Sequence, residues 1–342
     1  MNAQDAGAGP RERLLELLGG KWLAAAVSAA ATLGLADLLE GGSQSGAEIA
    51  EALGCEEDAL ERLLRTLVGI GIVSFERESR YALTDLGRCL GEDDLGPLAR
   101  FVGSEFNWAP WARLAEGVRT GRSAFELQHG DPLFEYLDAN EADAAVYHDA
   151  IGAFVGEEAE AVAKGFDFSS SRRVVDVGGG RGALLEHVLR RWPDLDGILV
   201  ERPAVAQAAQ RRLVEAGLIH RAEVRTGDFF EAIPEGADVY MLKHVVHCLA
   251  DAEAVELLDR CRRSLACGGA ILVIEGFRLP PGNVDQTSLL DLEMLALCGP
   301  GRERSKPEMR RLLQAAGLRL VGAPAIGGGA RLIEARPVAA AT

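Results

Sequence analysis

A chain of 342 residues is long enough for two domains with substantial cores. Its formal net charge of −16 at pH 7 disfavours nucleic acid and anionic membrane surfaces as partners. Six cysteines, at 55, 89, 248, 261, 267 and 298, form no C-x-x-C pair and no metal-ligand spacing with the histidines. They read as reduced thiols of a cytoplasmic protein, and no metal site is expected.

Met1–Pro10 and Val338–Thr342 read as frayed ends. The apolar run Trp22–Leu35, preceded by Arg11, Arg13 and Lys21, superficially resembles a signal peptide. It stops at Asp37, too short to span a bilayer, and its Ala-rich pattern suits a helix packed between helices. Gly46–Leu53 and Glu56–Val68 then read as two helices, followed by the hairpin Val73–Leu83 within Ile72–Leu86. That is the outline of a winged helix over about residues 35–90. A DNA-binding regulator is therefore one alternative. Its recognition helix would begin Glu56-Glu57-Asp58 and carry Glu61, only partly offset by Arg62 and Arg65. A groove-reading helix needs a neutral or basic face, so a structural or dimerisation role is the better reading.

From Arg100 to Gly165 the pattern is again helical. Phe101, Phe106, Trp108 and Trp111 lie on one short element and Phe154 on a later helix, spaced as core or as the wall of a flat aromatic pocket. Ser169–Ser171 links to the next part, dividing the chain into 1–168, helical, and 169–342, α/β.

In that second part strands alternate with helical patterns. Strands are expected near Arg173–Val177, Gly197–Glu201, Ala222–Thr226, Val239–Lys243 and Ala270–Glu275, with a closing hairpin of Leu318–Ala323 and Ala330–Glu334. The result is a Rossmann-like sheet with an antiparallel strand at its end, and ligands lie beyond the carboxyl ends of its strands. Arg173-Val-Val-Asp-Val-Gly-Gly-Gly-Arg-Gly182 carries the main signal: an apolar strand, an acid, then a glycine turn opening into a helix. Gly178, Gly180 and Ala183 also satisfy the dinucleotide pattern G-x-G-x-x-A, with Glu201 near the ribose-binding position. A pyrophosphate on a helix N-terminus would be repelled by Asp176, however, whereas the amine and sulfonium of S-adenosylmethionine (SAM) would not. Val224-Arg-Thr-Gly-Asp-Phe-Phe230 adds Asp228 for an adenine amino group and Phe229 for its ring. Asp176, Glu201 and Asp228, set against amine, ribose and adenine, favour SAM over a nicotinamide cofactor.

The same strand-end rule collects Lys243, His247, Glu275 and Glu303. A neutral imidazole at His247 can take a hydroxyl proton as a methyl group arrives, with Glu275 or Glu303 orienting the ring. His244 reads as a capping or core residue, and His129 and His148 as loop and helix-surface residues.

These marks resemble the small-molecule O-methyltransferases of the plant caffeic acid and bacterial antibiotic-pathway type. They are Val175–Gly182, Gly227–Phe230 with Pro234, Leu242-Lys243 before His247, and Asp291–Ala296 leading to Glu303-Arg-Ser305. The resemblance, from Trp22 to Ala335, implies a class I methyltransferase sheet, SAM as cofactor and no metal. It also implies a homodimer built through the N-terminal part. It puts Asp228 and Lys243 on the adenine and Glu201 on the ribose, with Asp176, Gly178, Gly180, Gly227 and Phe229 counted among the cofactor contacts. His247 becomes the base, supported by Glu275 and Glu303, and Met294 presses on the acceptor; Trp108 and Cys298 are counted with Met294 as acceptor contacts. The implied reaction is methyl transfer to a hydroxyl of an aromatic or polyketide-like molecule. The family usually has Asp-Trp directly after the histidine, where this chain has Cys248-Leu249, and an aspartate in place of Glu201. N- or C-methylation, or a non-methylating use of SAM in hydroxylation, decarboxylation or rearrangement, is the alternative that this departure opens.

Overall fold

The computed structural model describes residues 9–282 and 284–338, without the side chains of Phe154 and Val155. The expected frayed ends at residues 1–8 and 339–342, and the Phe154 ring, lie outside the described residues. The chain parts into two compact units, Met1–Trp108 with Ala145–Ala153, and Ala109–Ala144 with Phe154–Thr342. The sequence boundary at 168/169 falls just before the first strand of the large sheet, Arg173–Val177; compactness groups some of the preceding helices with the sheet.

In the first unit, helix Pro10–Thr32 opens with Pro10 at its first position, and the Glu12 carboxylate accepts from the Gly9 N–H at 3.0 Å. The expected burial between helices holds only for its C-terminal half, where Ser28, Ala30 and Ala31 are buried. There helix Gly96–Gly103 crosses so closely that a Cβ on Gly103 would lie 1.8 Å from Ser28 Oγ. Leu14, Leu15, Leu17, Leu18 and Trp22 are exposed instead, Trp22 at 72%. The helix also runs to 23 residues, so the reading of a run too short to span a bilayer is corrected on length.

Downstream come β1 (Gln44–Ser45), helix Gly46–Leu53, helix Glu57–Gly69, β2 (Val73–Phe75) and β3 (Arg80–Leu83). Ser45 and Glu48 form a reciprocal cap on the first helix, and the Glu56 carboxylate caps the second. β2 pairs antiparallel with β3, as the hairpin pattern requires, and β1 adds to the other edge of β3. Leu60, Leu64 and Leu67, spaced one helical turn apart, bury against Ile49 and Tyr81. Glu61 accepts the Tyr81 hydroxyl at 2.8 Å, so this acid braces the hairpin.

The second unit is built on an eight-stranded sheet. Its strands are β4 (Arg173–Val177), β5 (Asp196–Glu201), β6 (Ala222–Thr226), β7 (Ala237–Lys243), β8 (Leu265–Gly276), β9 (Leu318–Gly322), β10 (Ala325–Gly327) and β11 (Ala330–Pro337). They lie in the order β6-β5-β4-β7-β8-β11, with β9 and β10 both paired to β11. β4 to β8 are parallel and β11 runs antiparallel to β8. Helices cover both faces, so alternate side chains enter different cores: Val175, Val177, Tyr240 and Leu242 in one, Val174, Val239 and Met241 in the other. Each such side chain contributes about 1.5–3 kcal/mol by leaving water. Strand order reverses at β4, which opens a crevice beyond the ends of β4 and β7.

Candidate active site

At the end of β4 the chain turns through Gly178, Gly180 and Gly182 with φ of 66°, 55° and 81°, a region that favours glycine. Gly182 precedes helix Ala183–Arg191, so the turn presents backbone N–H groups towards the crevice. A Cβ on Gly178 would approach Val245 to 2.9 Å, while one on Gly180 would meet nothing within 4 Å. The turn is thus braced on one side and open on the other. Gly178 N–H donates to the Val200 carbonyl at 2.9 Å, and Gly227 N–H to the Glu201 carbonyl at 3.0 Å, tying both loops to β5.

The three strand-end acids have different environments. Glu201 accepts from Gly180 N–H and Arg202 N–H, each at 2.8 Å; burial pushes its pKa upward against those bonds. Each oxygen keeps a lone pair, which suits a vicinal diol. Asp228 is exposed and accepts from Phe230 N–H at 2.7 Å, leaving its second oxygen for a donor such as an adenine amino group. Phe229, beside Gly178, packs its ring 5.0 Å from that of Phe230. Asp176 is fully buried under Gly179, where a Cβ would lie 2.6 Å from its Oδ2, and neither oxygen has a hydrogen-bond partner. Burial first, and then the Glu201 charge, raise its pKa to about 7 against the pull of Lys243. A buried carboxylate without donors beside an open glycine turn fits a cationic ligand, so the residues present accommodate SAM.

Beyond β7, residues Val246–Cys248 form a short 3-10 turn carrying His247. Its ring is buried, and Nδ1 lies 2.6 Å from Glu303 Oε1. Glu275, at the end of β8, was expected at the ring but accepts the backbone N–H of His247 at 2.8 Å. Burial alone would lower the His247 pKa; the Glu303 hydrogen bond and the Glu275 charge outweigh it and hold it at about 9. Among the described residues no hydrogen bond engages His247 Nε2, which is left for an acceptor hydroxyl.

Several supports of this turn escaped the sequence reading. Arg304, 2% exposed, donates to Val246 and Leu249 carbonyls, each at 2.9 Å, and to Asp251 Oδ1 at 3.0 Å. Asp251 in the run His247-Cys-Leu-Ala-Asp251 was the available clue. Asp291 accepts from Glu303 N–H at 2.8 Å, and Glu293, its pKa raised by burial, faces His247. Met294 is buried on helix Gln286–Leu297, and Cys298, at that helix's end, lies beside Cys248, whose thiol donates to the His244 carbonyl at 3.8 Å. Lys243 is not free for adenine: its Nζ pairs with Glu158 at 2.8 Å. Trp108 belongs to the first unit, where Lys21 Nζ lies 6.0 Å from its ring centre.

The described residues hold no cluster of three or more His, Cys, Asp or Glu arranged for a metal. Residues 111–319 match the family model of the O-methyltransferase domain, and residues 15–93 that of the O-methyltransferase dimerisation domain. The chain is 36% identical to the mitomycin biosynthesis 6-O-methyltransferase of Streptomyces lavendulae, covering 96% of this chain and 95% of the relative. The solved structure of LaPhzM superposes with a TM-score of 0.90 at 34% identity, over 97% of this chain and 100% of the other. NcsB1, an O-methyltransferase from neocarzinostatin biosynthesis solved with SAM and 2-hydroxy-5-methyl naphthoic acid, superposes at 0.77 and 34% identity, covering 92% and 95% of the two chains. The glycine turn, the strand-end acid Glu201 and the buried histidine–glutamate pair stand on a class I methyltransferase sheet, and the chain belongs to the SAM-dependent O-methyltransferase family.

Proposed function

We propose that this enzyme methylates a hydroxyl of an aromatic or polyketide-like small molecule, with His247 as general base. The observation that carries the proposal is the 2.6 Å contact between His247 Nδ1 and Glu303, which leaves Nε2 unengaged beyond the end of β7. In the neutral form of the ring, which gains population as pH rises towards about 9, Nδ1 donates its proton to Glu303, the Nε2 lone pair takes the acceptor's proton, and Glu303 stabilises the imidazolium that forms. Glu275 and Arg304 hold the turn, which keeps Nε2 in place without further reorganisation. SAM, when bound, would supply a methyl group from its sulfonium, with the thioether S-adenosylhomocysteine as the leaving group. Glu201 holds its ribose, Asp228 and Phe229 its adenine, and Asp176 with the amides around Gly178, Gly180 and Gly227 its amino-acid end. Met294 and Cys298 line the acceptor side. The acceptor class follows from relatives such as NcsB1 with its naphthoic acid.

We also propose that the enzyme is a cytoplasmic homodimer. Support comes from six free cysteines, the dimerisation domain and the exposed leucines of helix Pro10–Thr32. The direct test is S-adenosylhomocysteine formation over a panel of phenols, hydroxynaphthoic acids and hydroxylated polyketides, with His247→Ala alongside. Turnover that disappears in a variant still binding SAM supports the base; full activity in the variant removes it. SAM binding without S-adenosylhomocysteine from any acceptor would favour a non-methylating use of the cofactor.

A further inference from the structure

A carboxylate that the sequence reading passed over joins the end of β7 to the helix that precedes the sheet. Glu158, on helix Glu141–Gly165, is 7% exposed. Its single oxygen Oε2 receives Lys243 Nζ at 2.8 Å and His244 Nε2 at 3.0 Å. A Cβ on Gly328, in the turn between β10 and β11, would stand 3.6 Å from its other oxygen, so the backbone closes over it. Burial alone would raise the Glu158 pKa; His244 and Lys243 overcome it and hold the carboxyl at about 2, ionised throughout the working range.

The two partners are consecutive residues where the chain leaves β7 for His247. His244 has φ of 54°, a left-handed conformation that is costly for a residue with a Cβ. Its anchoring to Glu158, together with its N–H on the Ile274 carbonyl at 3.1 Å, holds it there. Donation of its Nε2 proton to Glu158 fixes the tautomer, which leaves the lone pair on Nδ1, a buried atom without a partner. The His244 ring then stacks on that of His247, with centroids 5.2 Å apart and planes 28° from parallel. Stacking and the Glu303 bond together define the orientation of His247.

We propose that Glu158 is a positioning residue of the methyl-transfer centre. It sets the turn and tautomer of His244, orients His247 through the stacked rings, and balances the Lys243 charge beside the imidazolium that forms. The proposal rests on the reading of His247 as base. The charged and titratable groups facing His247 are Glu303 from its loop, Glu275 from β8, Glu293 and Cys298 from the end of helix Gln286–Leu297, and His244 and Cys248 from its own turn. Behind His244 stands the Glu158–Lys243 pair, one charge of each sign. Removal of Glu158 alone leaves Lys243 with the buried Asp176 carboxyl, itself raised to about 7, as its remaining acidic neighbour; the net positive charge beside His244 rises, which disfavours a second cation and moves the His247 titration to lower pH.

The test is nitrogen-15 NMR of the six histidines in the full chain. His247 is identified by the signals lost in His247→Ala. In Glu158→Gln the His247 midpoint is expected to fall by about one pH unit, and His244 to lose its single tautomer. In Glu158→Gln/Lys243→Gln the charge balance returns, so the midpoint should return towards the wild-type value while the His244 tautomer stays mixed. An unchanged His247 midpoint in folded Glu158→Gln overturns the proposal. If the single variant does not fold because Lys243 is left buried and unpaired, the double variant carries the test. A double variant with a fixed His244 tautomer, or with wild-type turnover of any phenol the enzyme accepts, overturns the proposal equally. His247→Ala separates the two readings. Full turnover in that variant removes the base and this proposal together; an inactive variant beside an unshifted Glu158→Gln removes this proposal alone.

Discussion

Replacement of Glu303 by Gln should abolish the high titration of His247, with a free-energy consequence set by the geometry. The carboxylate sits 2.6 Å from Nδ1, and its side chain is fully buried. Burial would push the imidazole below its ordinary 6.5; Glu303 is the leading cause that opposes this and brings it to about 9. The interval between those values corresponds to about 3 kcal/mol of preference for the imidazolium. Because the folded pKa is raised, that stability is fully present below pH 6.5 and is lost as pH rises through about 9. The wild-type unfolding free energy should therefore decline by up to about 3 kcal/mol across this window through this one group. In Glu303→Gln the burial penalty remains and its main opponent is gone. His247 should then titrate at or below 6.5, and most of that decline should vanish.

Two measurements check this: the histidine NMR titration, and denaturant unfolding from pH 6 to 10, with the variant subtracted from wild type so that other groups cancel. If the imidazolium forming in the transition state loses the same support, turnover should fall on the order of 100-fold on any accepted phenol. A variant whose His247 still titrates near 9, or whose stability declines as steeply as wild type above pH 6.5, would refute the argument. It would show that Glu275 and the other neighbours, rather than the Glu303 contact, set the charge of the base.

Asp228→Ala should weaken SAM binding by about 10- to 100-fold, the loss of one charge-assisted hydrogen bond, with thermal stability unchanged; unaltered affinity by calorimetry would remove the adenine assignment. Asp176→Asn should make the cofactor-free protein more stable at pH 8, on the order of 2–4 kcal/mol. The sign follows from a carboxyl raised from 3.8 to about 7, whose contribution is present below pH 3.8 and lost as pH rises through about 7. The same variant should bind SAM more weakly, and a variant less stable than wild type at pH 8 would show that the aspartate has a partner in the folded state.

What local sequence conveys is the element that ends in its own punctuation. Arg173–Val177, Ala222–Thr226 and Gly46–Leu53 have the bounds their residues announce, because apolar runs or a cap meet glycine or acid at each end. β1 and β10, at two and three residues, are too short to show a period, and β8 begins five residues early through Cys267-Gly268-Gly269, which carry no apolar signal. Helix Pro10–Thr32 exposes a different limit. Its leucines promise burial by composition, yet Leu14, Leu15, Leu17 and Leu18 are exposed, which composition alone does not reveal. Within the site, His247 was legible because it follows the end of β7, and Glu303 because it lies in the loop Gly299–Ser305 that the family marks single out, although 56 residues separate them. Glu158 was not. It lies 86 residues before His244 on a helix whose pattern reads as solvent-facing, and only the fold makes its charge a neighbour of β7.

The departure after the histidine can be weighed against that frame. Where the family usually has Asp-Trp, this chain has Cys248-Leu249, and the base would be in doubt if its turn depended on those residues. It depends instead on Arg304, whose guanidinium grips the carbonyls of Val246 and Leu249 and is itself held by Asp251, four residues beyond His247. Backbone carbonyls are the same whatever side chain follows, so the grip survives the exchange. Cys248, in place of the acid, turns its thiol to the His244 carbonyl at 3.8 Å, and Leu249 fills less space than an indole would. The exchange therefore alters the volume and polarity beside the acceptor while leaving the orientation of Nε2 to Glu303, His244 and Arg304. Acceptor choice should accordingly differ from that of relatives with an indole at this position, whereas the proton transfer should not.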